Sequence, residues 1–158
     1  MIVTAAVALV AAPVADAAPL ICLDPGHART PNLTTEPIGP GSSIRKIKDG
    51  GGASGEAPVV LAIGLKLRSL LLDRGYRVAM TRNGPTFTRG AGGNVDRAKF
   101  CNRQRAALMI RIHADGSSNP RTHGVSTLYP AWRRSSTDDT YRPSLRAARA
   151  VHRNLVRT

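Results

Sequence analysis

A chain of 158 residues, 42% of them hydrophobic, is long enough for one domain with a sizeable core and short for two. Only 4% of the residues are aromatic, so Ala, Val, Leu and Ile must supply the packing. The formal charge of +13 is dispersed from Arg29 to Arg157, with no basic helix interleaved with aromatics, so the composition argues against a nucleic-acid-binding protein. The charge reads either as solvated surface or as the complement of an anionic partner such as an acidic wall polymer.

In chain order, the first segment has the form of a secretory leader over residues 1–18. Ile2 to Ala12 is apolar, and Ala15-Asp16-Ala17 fits a small-x-small cleavage pattern. The apolar run falls short of the ~20 residues a membrane span needs, and no stable membrane insertion is expected. No Lys or Arg precedes the apolar run, so a buried N-terminal helix or strand is the alternative. The leader reading places one domain at 19–158 and predicts an exported, monomeric protein of the periplasm or cell wall.

Leu20-Ile-Cys-Leu23 is a continuous apolar run, as expected of a strand buried on both faces of a parallel sheet. Asp24-Pro25-Gly26 breaks it, leaving His27 just beyond the carboxyl end. Residues 28–55 form a long connection rich in Pro, Gly, Ser and Thr, with a short strand predicted at Ile44–Lys48. Ser54 is the expected cap of a helix whose apolar face is Val60, Ile63, Leu67, Leu70 and Leu71, closed by Gly75. A second strand at Tyr76–Met80, a helix at Val95–Gln104 and a third strand at Ala107–Ile112 follow, the last leading into His113. A fourth strand is predicted at Gly124–Tyr129, and Pro143 opens a final helix with Leu145, Ala148, Val151 and Leu155 on one face. Strands alternating with helices predict an α/β fold: a three-layer, open, largely parallel twisted sheet with helices on both faces.

In an oxidising compartment Cys22 and Cys101 are expected to pair, closing a loop worth about 4–5 kcal/mol in the chain-entropy account. Two buried thiols are the alternative. His27 and His113 both follow strand ends, where open α/β sheets place their ligands. Glu56 lies at the mouth of a helix packed on the same sheet. His₂Glu is one of the donor sets of catalytic zinc, and it leaves a coordination position open. The spacing matches no local pattern, so a turn histidine, a first-turn glutamate and a strand-end histidine without a metal is the competing reading.

The order of these features resembles the zinc-dependent N-acetylmuramoyl-L-alanine amidases of the Amidase_3 family, and is most similar to secreted mycobacterial members. The matching features are the strand ending in His27, Gly55-Glu56, Thr81-Arg82, Arg97, Asn102 and Ile112-His-Ala-Asp115. The resemblance covers roughly residues 19–158. It implies one Zn²⁺ bound by His27, Glu56 and His113, and hydrolysis of the amide joining N-acetylmuramic acid to L-alanine of the peptidoglycan stem peptide. It also implies a catalytic Glu on a late strand. No such strand follows the final helix here, and after His113 the only acids are Asp115, Asp138 and Asp139. The expectation is a chain cut short of its last strands, with no catalytic general base of its own. The alternative is a weak or inactive wall-binding or regulatory remnant. Asp24 or Asp115 is expected to orient a zinc-bound imidazole, with Asp24 capping its own turn as the alternative; Arg82 and Arg97 are expected to grip stem-peptide carboxylates or form ion pairs, and Asn102 to hold backbone. His123 and His152 are expected to be non-ligands.

Overall fold

The structure, a computed structural model, describes residues 17–87, 89–90 and 92–157. Residues 1–16, which make up most of the expected leader, lie outside the described residues.

The apolar run becomes β1 (Leu20–Pro25), buried along its whole length. It is the centre of a parallel three-stranded sheet, flanked by β4 (Arg77–Met80) and β5 (Leu108–Ile112) in the order β4-β1-β5. In register, Leu23 lies opposite Met80 on one side and Ile110 on the other. Alternate residues of β1 face opposite helices. Ile21 and Leu23 join Met80, with Leu67 and Leu71 of α1 (Glu56–Leu72) packed against them. Leu20 and Cys22 join Phe100 and Cys101 of α2 (Asn94–Arg103). Helices thus cover both faces of a parallel sheet, the expected three-layer α/β arrangement. Cys22 and Cys101 are disulfide-bonded, with Cα atoms 5.7 Å apart, and staple β1 to α2.

The inward face of α1 differs from the expected one. Val60, Gly64, Leu67 and Leu71 point at the sheet, whereas Ile63 and Leu70 are exposed. Gly64 sets this rotation, because a Cβ there would stand 2.8 Å from Cγ of Pro25. Ser54 does not cap the helix: Gly55 does, at φ 78 with no side-chain hydrogen bond. Gly75, at φ 80, donates its N–H to Leu72 and turns the chain toward β4.

The connection after His27 is an antiparallel hairpin, β2 (Asn32–Pro37) with β3 (Arg45–Asp49). Only its second strand was expected. The fourth strand expected at Gly124–Tyr129 is not formed: that segment pairs with no described strand, and Leu128 is 90% exposed. The segment finds no strand to pair with among the described residues, and the following helix does not bury it. That helix, α3 (Tyr141–Leu155), has no buried residue and touches the segment through Tyr129 against Tyr141 and Thr127 against His152. Among the described residues no helix is long and apolar enough to cross a membrane.

Candidate metal centre

Three chain segments converge beyond the carboxyl end of β1. His27 leaves the strand at φ 55, in the left-handed region that a non-glycine residue adopts only when its surroundings impose it. The imposing groups are two buried guanidiniums. Arg82 donates to the carbonyls of Pro25 and Gly26, and Arg97 to those of Pro25 and His27. Arg82 also donates to the carbonyl of Ala57 at 2.7 Å, tying the His27 turn to the first turn of α1. Its pKa is lowered from the usual arginine value, first by burial and then by the neighbouring charge of Arg97.

Glu56 opens α1 and is buried. Its Oε2 accepts from the N–H of Ala53 and its Oε1 from the N–H of Ala114. The same Oε1 lies 2.9 Å from Nδ1 of His113 and 3.4 Å from Nε2 of His27. Burial pushes the carboxyl pKa up, but those two N–H groups, the His113 hydrogen bond and the nearby His27 pull it down further, and the net shift is downward. Glu56 is therefore an anion at neutral pH. The two imidazoles meet edge to face, with centroids 4.8 Å apart.

The residues fit a metal ion. One donor atom each from His27, Glu56 and His113 lies within 4.8 Å of the others. His27 Nδ1 donates to Asp49 Oδ1 at 2.7 Å, which leaves Nε2 as the free lone pair facing Glu56. Two glycines make the room. A Cβ on Gly26 would lie 2.5 Å from Cε1 of His113, and one on Gly52 would collide with Oε2 of Glu56. The site opens through a cavity of about 30 Å³, enough for a water, lined by His27, Asp49, Arg97, Arg111 and His113 among others. A wider groove of about 360 Å³ lies on the other side of Asp49, bounded by Ala28, Asn32, Leu33 and Phe87.

This geometry agrees with the comparison to known proteins. The model of the Amidase_3 family, described as N-acetylmuramoyl-L-alanine amidase, matches residues 21–158. The chain belongs to the Amidase_3 family. The Escherichia coli (strain K12) N-acetylmuramoyl-L-alanine amidase AmiA is 34% identical over 109 residues, which is 69% of this chain and 32% of AmiA. Among solved structures, the N-acetylmuramyl-L-alanine amidase Ami1 from Mycobacterium smegmatis superposes with a TM-score of 0.55 at 27% identity, over 65% of this chain and 50% of that one. Ami1 from Mycobacterium abscessus, in its apo form, gives 0.55 at 28% identity, over 64% and 50%. The chain thus spans about a third of the length of its Escherichia coli relative and half of each mycobacterial structure.

Within this Amidase_3 chain, the three expected ligands come together, and of the two readings given for Arg97 the ion pair is the one formed, with Asp24 at 2.7 Å. Arg82 and Arg97 spend their donors on backbone carbonyls and on Asp24, so neither presents a fork to a substrate carboxylate. Asp24 touches neither imidazole; fully buried, it accepts from Thr81, Arg97 and Arg111. Asp115 is exposed and makes no described bond to a histidine. Asn102 is exposed in the last turns of α2, where its carbonyl accepts from Arg105. His123 and His152 bond to Arg121 and Thr127, away from the centre.

Sequence reasoning missed Asp49, the carboxylate that orients His27, and Glu36. Glu36 of β2 accepts the N–H groups of Asn94 and Val95 and so caps α2 from outside, while Lys46 pairs with it at 2.8 Å. The only signal for Asp49 was an acid ending a short strand ahead of Gly50-Gly51-Gly52.

Proposed function

We propose that this chain carries the metal-binding site of a zinc-dependent peptidoglycan amidase, acting outside the cytoplasm on the amide between N-acetylmuramic acid and the L-alanine of the stem peptide. The observation that carries the reading is the convergence of His27, Glu56 and His113 donors within 4.8 Å in a chain of this family. A disulfide between Cys22 and Cys101 supports export. When bound, zinc polarises an amide carbonyl and lowers the pKa of its water to about 7.

The chain's own groups do the rest. Asp49 keeps a proton on Nδ1 of His27 and presents Nε2. Glu56, with both oxygens engaged by backbone N–H groups, is held as a ligand and not as a carrier of protons. Transfer of the water proton to the departing amine needs a further carboxylate. None of the described carboxylates besides Asp49 and Glu56 is bonded to either imidazole: Asp115 is exposed, and Asp138 and Asp139 stand in the turn before α3. Positioned acid–base help is worth ~10²–10⁴-fold. The same observation favours a second reading, a wall-binding remnant with little turnover.

The test is to load the chain with zinc, add N-acetylmuramoyl-L-alanyl-D-isoglutamine and measure release of the free dipeptide. Turnover about 10²–10⁴-fold below that of a complete family member is expected. Comparable turnover would show that a base is present in this chain. Cleavage at any other bond would overturn the amidase reading.

A further inference from the structure

We infer that Arg111 is the residue that holds a stem-peptide carboxylate beside the metal centre. The inference rests on the amidase reading above and adds the feature of the substrate that this chain distinguishes.

Arg82 and Arg97 are buried and turned toward backbone carbonyls and Asp24, so a substrate-facing cation must be sought elsewhere. Arg111 lines the small opening together with His27 and His113. It is anchored from behind: its Nε donates to Asp24 Oδ2 and its Nη1 to Asn94 Oδ1. A guanidinium carries five N–H donors, and among the described residues Nη2 of Arg111 has no hydrogen-bond partner. The side chain is 29% exposed, against 3% for Arg97. The group is therefore held rigidly with one edge toward the opening, the geometry that suits a carboxylate.

Charge points the same way. The guanidiniums of Arg82, Arg97 and Arg111 face only the carboxylates of Asp24 and Asp49, and Lys48 adds a further cation to the rim. Three guanidiniums against two carboxylates leave one positive charge uncompensated at the mouth, and Lys48 adds a second. The spacing also fits. Arg111 precedes His113 by two residues, about 6.6 Å along an extended strand. The carboxylate carried by the residue after L-alanine stands about 6–7 Å from the scissile carbon of an extended peptide.

The test compares two probes on the zinc-loaded full chain by calorimetry: N-acetylmuramoyl-L-alanyl-D-glutamate, whose α-carboxylate is free, and its D-isoglutamine counterpart, in which that carboxylate is an amide. The expected result is about 10- to 100-fold tighter binding of the free acid. Arg111→Gln should bring the affinity for the free acid down to that for the isoglutamine probe, and Arg111→Lys should keep part of the preference. Equal affinity of the two probes for the unsubstituted chain overturns the inference and leaves the amidase reading standing. That comparison needs no variant to fold. A preference that survives in a folded Arg111→Gln chain overturns it too. Binding of neither probe overturns both.

Discussion

Nδ1 of His27 donates to Asp49 Oδ1 across 2.7 Å, although the two residues are 22 positions apart, one in the turn after β1 and the other at the end of β3. The bond fixes the tautomer and ring orientation of the first candidate ligand, and it ties the β2–β3 hairpin to the candidate metal centre. Orienting carboxylates of this kind usually contribute 10–100-fold to metal affinity. Asp49→Ala should therefore weaken zinc binding by about that factor with the fold retained, measured by competition against a chromophoric chelator. Unchanged affinity would reduce Asp49 to a loop residue that bonds Gly51.

The two buried arginines are structural in this account. Arg82→Ala removes a guanidinium that satisfies the carbonyls of Pro25, Gly26, Ala57 and Gly84. A loss of at least about 1–3 kcal/mol in unfolding free energy is expected, because buried carbonyls are left without their donor. Urea unfolding measures it. An unchanged midpoint together with weaker muropeptide binding would restore the substrate-gripping role that the sequence suggested.

Glu36 gives stability a pH dependence of definite sign. Burial raises its carboxyl pKa, but Lys46 and the N–H groups of Val95 and Asn94 lower it further, to a net value below the usual 4.5. A carboxyl depressed in the folded state binds protons first in the unfolded state as pH falls. Its stabilisation is complete above about pH 5 and is lost as pH drops through the folded value. Glu36→Gln should cost about 1–3 kcal/mol at pH 7 and flatten the acid limb of the stability profile, followed by urea melts from pH 7 to pH 3. A parallel profile in the variant would remove Glu36 from the acid response.

What the sequence made legible was local. Leu20–Leu23 reads as a doubly buried strand because four apolar residues run together, and His27 and His113 are placed by the strands they follow. Glu56 is placed by the helix it opens. The family order of these motifs then joined them. Asp49 and Glu36 stayed hidden because their work depends on a hairpin whose first strand, Asn32–Pro37, is mostly exposed and lacks apolar alternation. The partners of Arg82 and Arg97 were hidden for a related reason: backbone carbonyls leave no trace in residue type. Gly124–Tyr129 erred in the other direction. Its composition is that of a strand, but a strand also needs a neighbour to pair with, and residue type does not specify one.

If His27, Glu56 and His113 form one zinc site, metal analysis of the purified chain after dialysis against a weak chelator will find about one equivalent of zinc, as for a three-ligand site, and a large loss in each of His27→Ala, Glu56→Gln and His113→Ala. Circular dichroism should confirm that the variants remain folded. Zinc content unchanged in His113→Ala would contradict that assignment.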